Sequence, residues 1–266
     1  MTGMRGRVIA AAVLMGLLGA GSALATTVSK EGFTSTATAT ITPTRLPADD
    51  TAPVTLNFSV KSTRTTPGTP RNLRLMTVKV RTDRQITVDA EGLATCDPAK
   101  LGEADLSEAR KLCRKALIGS GSGRSVIQYP EQGTFVERYS VLIFNTLVGQ
   151  KPQLLFFIVY HGGIEEVGTP AILGDAREFA FGMSGAEYDI TTLNTLQFKL
   201  GASWTYKGKH HSYLNATCAT GSIKNRITLA MSNGVKTETT PQRCSGNGRA
   251  LDRLPRARKL ETETSG

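Results

Sequence analysis

Residues suited to acyl-transfer chemistry follow one another along this chain in a hydrolase order. Tyr160-His161-Gly162-Gly163 has the form of an oxyanion-hole loop, and Ser184, Asp189 and His210 or His211 come after it. Such a set would activate a serine hydroxyl through an imidazole held by a carboxylate. A nucleophile elbow, however, needs G-x-S-x-G on a strand-to-helix turn. Here Gly182-Met183-Ser184-Gly185-Ala186 lacks the final glycine, and no crossover helices separate the segments. The pattern therefore predicts a polar strand-end turn, with no catalytic residues assigned.

Metal chemistry has a weaker basis. The chain holds three histidines, and His210-His211 are adjacent, so on a strand they face opposite sides. Zinc needs three or four converging ligands, and Glu165-Glu166 and Asp49-Asp50 lack the regular ligand spacing of a calcium loop. No metal and no cofactor are expected. Gly119-Ser120-Gly121-Ser122-Gly123 resembles a phosphate-binding loop only superficially. Those loops precede a helix and use its first amides. This one follows a helical pattern and reads as a helix stop and a turn into the next strand.

The best binding candidate is Trp204 to Tyr213, WTYKGKHHSY. Trp204 and Tyr206 share one strand face, Lys207-Gly208-Lys209 reads as a tight turn, and His210, His211 and Tyr213 lie beyond it. Aromatic rings beside cations suit sugars or an anionic polymer. The alternative is that the two rings complete a core face begun by Leu196, Phe198 and Leu200. Partners expected on the binding reading are anionic envelope polymers or glycans. Nucleic acid is set aside, because export separates the protein from it and aromatic residues make up only 6% of the chain.

These residues sit in a chain addressed for export. Arg5 and Arg7, an apolar run from Val8 to Leu18 and Ala23-Leu24-Ala25 describe a secretory signal peptide over residues 1–25. The apolar run is shorter than the roughly 20 residues a membrane-spanning helix needs, and no later segment is long enough to anchor the chain. Removing 25 residues from 266 leaves 241, and losing Arg5 and Arg7 lowers the formal charge from +10 to +8. A secreted or envelope-associated basic protein is expected, with weak attraction to anionic polymers.

Four cysteines remain, Cys96, Cys113, Cys218 and Cys244. Exported cysteines are disulfides before they are ligands or nucleophiles. Four permit three pairings, and the spacing favours the local ones, Cys96–Cys113 and Cys218–Cys244.

The elements that must position all this are strands. Residues 26–50 read as an edge strand or extended lead-in. Val54, Leu56, Phe58 and Val60 alternate with polar residues as a half-buried strand. Residues 61–71, with Pro67, Gly68 and Pro70, read as a loop. Strands follow around 73–81 and 86–88. The one helix recurs through Leu106, Ala109, Cys113, Ala116 and Leu117, with Asp105 or Ser107 as N-cap and Gly119 as terminator. Thr134–Asn145 alternates, and Leu154–Tyr160 is continuously apolar, as for a central strand covered on both faces. Leu196 to Tyr206 reads as one long strand, Leu214–Cys218 as another, and Asn233-Gly234 as the turn of a hairpin. Many strands with polar turns predict an all-β sandwich over residues 51–246, immunoglobulin-like in one version, with one short helix between Cys96 and Cys113. A variant divides it into two packed sub-domains near residues 119–133. Residues 247–266 read as a disordered basic tail.

The pattern resembles a family of secreted actinobacterial proteins. The resemblance rests on Gly92-Leu93-Ala94-Thr95-Cys96, Ala109-Arg110-Lys111-Leu112-Cys113 with Ala116 and Ile118-Gly119-Ser120-Gly121, Phe144-Asn145, Tyr206-Lys207-Gly208-Lys209 and Tyr213-Leu214-Asn215-Ala216-Thr217-Cys218. It implies export, β architecture and a non-enzymatic structural or binding role, and it carries over no catalytic residues.

Overall fold

The computed structural model describes residues 25–30, 32–64, 75–129, 133–161, 168–182, 191–231 and 234–245. Residues 1–24 of the expected signal peptide and the 247–266 tail lie outside them. The first strands in chain order are β1 (Thr26–Lys30), β2 (Phe33–Thr42), β3 (Ala52–Pro53), β4 (Thr55–Arg64), β5 (Leu75–Arg81) and β6 (Ile86–Val88). A seven-residue helix α1 (Leu106–Leu112) comes next, between 3-10 turns at Pro98–Leu101 and Arg114–Ala116. Then come β7 (Leu117–Tyr129), β8 (Gly133–Val148), β9 (Lys151–His161), β10 (Gly168–Ile172) and β11 (Glu178–Gly182). The chain closes with β12 (Thr191–Leu200), β13 (Ser203–Tyr206), β14 (Lys209–Ser212), β15 (Leu214–Ala216), β16 (Ser222–Met231) and β17 (Gly234–Arg243).

Alternation makes these strands two-faced, and the two largest sheets bury their apolar faces together. One is eight-stranded, β1-β2-β4-β12-β7-β8-β9-β10, and the other four-stranded, β11-β5-β16-β17. The fold is thus an all-β sandwich. An immunoglobulin domain divides about seven to nine strands between both its sheets, whereas the larger sheet here has eight alone. Phe198 centres the shared core, with ring centroids 4.9 Å from Phe58, 5.4 Å from Phe156 and 5.9 Å from Phe179. Each such buried ring contributes about 1.5–3 kcal/mol. Polar bonds also pin the two sheets together. Ile41 N donates to Gln242 Oε1 at 2.7 Å, Gln242 Nε2 returns a bond to Ile41 O at 2.8 Å, and Asn225 Nδ2 reaches Ala39 O at 2.9 Å.

The far face of the large sheet is divided. Over β8 and β9 it is covered by the segment carrying α1, which buries Leu142, Phe144, Leu155, Phe157 and Val159 with Leu101, Ala109 and the Cys96–Cys113 pair. This explains the continuous apolar run of β9. Its Leu154 and Phe156 face one core, and its Leu155 and Phe157 face the other. Over β2, β4, β12 and β7 the same face is open and polar.

Several sequence expectations are corrected. The Gly119–Gly123 run is a strand, paired with β12 and β8, and not a turn. Its glycines face the core, where a Cβ at Gly121 would stand 2.2 Å from Gln197 O and one at Gly123 2.2 Å from the Tyr139 ring. Its serines face outward. The helix is capped by Asp105 Oδ1, which accepts from Glu108 N at 2.8 Å, but it ends at Leu112 with Cys113 as C-cap, before Gly119. Residues 119–129 run through the large sheet as part of β7. The expected long strand 196–206 breaks at Gly201, whose φ is 153° and where an added Cβ would stand 3.1 Å from Thr55 Oγ1 and Val54 O. Residues 26–50 supply β1 and also β2, an interior strand, while β4 continues to Arg64 through the start of the expected 61–71 loop, whose remaining residues lie outside those described. Met231 pairs with Gly234, which places Gly234 in the strand and not in the hairpin turn.

Both local disulfides form. Cys96–Cys113 closes 17 residues with a Cα–Cα distance of 5.3 Å, and Cys218–Cys244 closes 26 at 6.0 Å. Such bonds belong to an oxidising environment. Among the described residues no helix is long and apolar enough to cross a membrane.

Candidate functional site

The candidate hairpin is β13 and β14, with Ser203↔Ser212, Trp204↔His211, Thr205↔His210 and Tyr206↔Lys209 paired. The connection is therefore the two residues Lys207-Gly208, with φ of 49° and 75°. Two positive φ values are what a tight hairpin turn of this length demands, and glycine meets the demand more easily than lysine. Lys207 Nζ lies 5.0 Å from the centre of the Tyr206 ring.

Beneath the hairpin lies the turn at residues 89–93, just ahead of Cys96. Three side chains hold it. Trp204 Nε1 donates to Glu91 O at 3.0 Å. Tyr206 covers Gly92, where any Cβ would meet the ring at 2.2 Å. His211 Nδ1 lies 2.7 Å from Asp89 Oδ2, and the His211 side chain is only 10% exposed. The Trp204 and His211 rings stack at 5.6 Å, 14° from parallel, with Tyr206 edge-on to the imidazole at 6.2 Å.

Trp204, Tyr206 and His211 are thus brought together on one face, as their spacing requires, and are half-buried there by the turn beneath. Their second partners are structural. Lys207, Lys209 and His210 are exposed at the tip. Tyr213 is a correction. Expected on the binding surface, it is wholly buried in the main core, where loss of water pushes its phenol well above the usual tyrosine range. It leaves the strand alternation because residue 213 separates β14 from β15 and turns inward.

The hydrolase set is not assembled by the described residues. Ser184 and Asp189 lie outside them, His211 is bonded to Asp89, and His210 is exposed on the opposite face. His161 Nε2 lies 2.8 Å from Ser140 Oγ on the neighbouring strand. Among the described residues no three acidic, histidine or cysteine side chains gather as metal ligands.

One arrangement escaped the sequence reading. Strand register places Lys61↔Thr195, Thr195↔Arg124 and Arg124↔Arg138 in a single row across β4, β12, β7 and β8. The period-2 pattern of each strand shows its outward residues, but only the pairing aligns cations so distant in sequence. Compared with known protein families, curated proteins and solved structures, the chain matches none.

Proposed function

We infer that this is an exported, non-enzymatic binding protein of the cell exterior whose partners are anionic envelope polymers or glycans. The observation that carries the reading is how the hairpin uses its side chains. The groups suited to proton transfer or stacking at Trp204, Tyr206 and His211 are engaged by the 89–93 turn. What the tip presents to solvent is Lys207, Lys209 and His210. Such a surface attracts an anion and offers no aligned nucleophile and base. The two disulfides, the leader-like residues 1–25 and the resemblance to secreted actinobacterial proteins support export.

The mature chain should be retained on purified cell envelope and on acidic members of a glycan panel, and released by salt. Failure to bind either would remove the reading. Labelling of Ser184 by a fluorophosphonate probe would replace it with a hydrolase.

A further inference from the structure

The open half of the large sheet is chemically one-sided. Outward positions of β2 are Thr34, Thr36, Thr38, Thr40 and Thr42, and those of β4 are Thr55, Asn57, Ser59, Lys61 and Thr63. β12 adds Thr195, Gln197 and Lys199, and β7 adds Ser120, Ser122 and Arg124. Every one is a hydroxyl, an amide or a cation; beyond Arg124 the face ends at Val126, opposite the exposed Val136. No carboxylate occupies any of these positions. Cross-strand bonds fix the hydroxyls, with Thr38 and Ser59 at 2.8 Å, Asn57 Nδ2 and Thr42 at 3.1 Å, and Gln197 Nε2 and Ser122 at 3.5 Å.

Among the described residues the side chains of the cations on this face have no partner of their own. Among the described residues no ion pair or hydrogen bond reaches Lys61, Lys199, Arg124 or Arg138, all exposed. Arg124 and Arg138 stand directly opposite each other on adjacent strands. Like charges so placed destabilise a sheet. A fold that keeps two facing guanidinium groups, on a face with no acid among the described outward positions named above, is arranged for an anion from outside.

Resting on the exterior-binding reading, we propose that this sheet face, beside the smaller cationic hairpin tip, is the principal ligand surface, and that it takes an acidic polysaccharide carrying uronate carboxylates. Arginine forks match carboxylate geometry. Strands lie about 4.8 Å apart, so Lys61 and Arg124 begin about 10 Å apart, with Arg138 one step further. Thr195 lies between the first two. The ligand must therefore space its charges with neutral, hydroxylated units, which a chain of sugars bearing acids at intervals does. The fixed hydroxyls and amides beside the row complement the remaining sugar hydroxyls. No aromatic ring is available on these positions for base stacking, which disfavours single-stranded nucleic acid.

The test uses the full mature chain with hyaluronate oligosaccharides as probe, in isothermal titration at two salt concentrations. Binding should weaken with salt, and R124Q/R138Q should bind at least about tenfold less tightly, the loss expected for charge-assisted contacts. K100Q/K115Q, on the segment over β8 and β9, should bind as the unaltered chain does, and K61Q, on the same row as the arginines, should also weaken binding. Three results would overturn the proposal: no hyaluronate binding, full binding by R124Q/R138Q, or equal binding of polyglutamate or poly(glycerol phosphate). Envelope retention separates this proposal from the reading beneath it. If R124Q/R138Q is retained as well as the unaltered chain, the surface is wrong and exterior binding stands. If the unaltered chain is not retained, exterior binding itself falls.

Discussion

The indole of Trp204 lies flat on the imidazole of His211, at directly opposed positions of a two-residue hairpin. Each ring also holds the turn below, Trp204 through Glu91 O and His211 through Asp89. The pair therefore couples hairpin to turn. Replacing His211 by Ala removes the stack and the imidazole's bond to Asp89, which keeps its bond from Glu91 N at 2.9 Å, at a cost of about 1 kcal/mol. Trp204 is the chain's one tryptophan, so its fluorescence reports the change directly. H211A should shift both the emission and the urea midpoint. An unaltered spectrum would show that the imidazole does not hold the ring.

The Gly-Ser alternation of β7 predicts opposite outcomes at adjacent positions. Gly121→Ala drives a methyl to within 2.2 Å of Gln197 O, an overpacking that costs about 1–3 kcal/mol. Ser122→Ala changes an outward residue and should stay within about 0.5 kcal/mol. Urea midpoints for the two variants decide it, and equal midpoints would mean that β7 does not face as described.

That alternation also shows where sequence reading stopped. Polar–apolar alternation identified β4 and β8, and the double-sided apolar run identified β9, because burial acts on each of these strands directly. Asp105 announced the helix, and the loop lengths favoured the two disulfides that form. Gly119–Gly123 misled because glycine carries no hydrophobic signal. Its inward face is filled by Tyr139 and Phe198 from neighbouring strands, and only the period of two betrayed a strand. Tyr213 misled for the reverse reason, since a polar aromatic beside two histidines reads as surface while its burial depends on a bend at one residue. The row Lys61, Arg124, Arg138 was illegible in principle. It exists only through the register of β4, β12, β7 and β8.

The facing arginines make a stability prediction independent of any ligand. Removing one guanidinium relieves cross-strand repulsion, so R138Q should be more stable than the unaltered chain by a few tenths of a kcal/mol. The gain should shrink in high salt, where the repulsion is already screened. Thermal melts at two ionic strengths test this, and destabilisation by R138Q at low salt would show that the side chain makes a compensating contact.

Two carboxylates should tilt the pH dependence of stability in opposite directions. Burial raises the Glu137 pKa. Its contribution is therefore complete in acid and is lost as pH rises through the folded value, from about pH 4 upward. Glu178 behaves inversely. The hydrogen bond from Lys79 holds its pKa below the usual range, so its contribution is present at neutral pH and is lost as pH falls through the folded value. Both groups are only partly buried, which limits each effect to a few tenths of a kcal/mol. E137Q should stabilise and E178Q destabilise at pH 7, with both differences reduced at pH 3. Melting points that move in the same direction for both variants at pH 7 would contradict these environments.

The two disulfides brace different things and should fail differently. Cys96–Cys113 closes the segment laid over β8 and β9, which is also tied down by Cys96 N to Asn145 O at 2.8 Å and Gly168 N to Ala104 O at 3.1 Å. Cys218–Cys244 fastens the end of β17 beside the chain leaving β2, where Ser245 N meets Thr44 O and Cys218 N meets Pro47 O. Loops of this size lose about 3 kcal/mol of stabilisation when opened. In C96S/C113S that loss falls on a covering segment, so the segment should lift before the sandwich melts. Leu142, Phe144, Leu155 and Phe157 would then be exposed. A dye that fluoresces on apolar surface should respond below the main transition in this variant. In C218S/C244S the loss falls on the ends of β16 and β17, paired strands of the sandwich itself, so the main transition itself should drop without an earlier dye signal. Indistinguishable melting and dye profiles would show that the covering segment and the sandwich unfold as one unit.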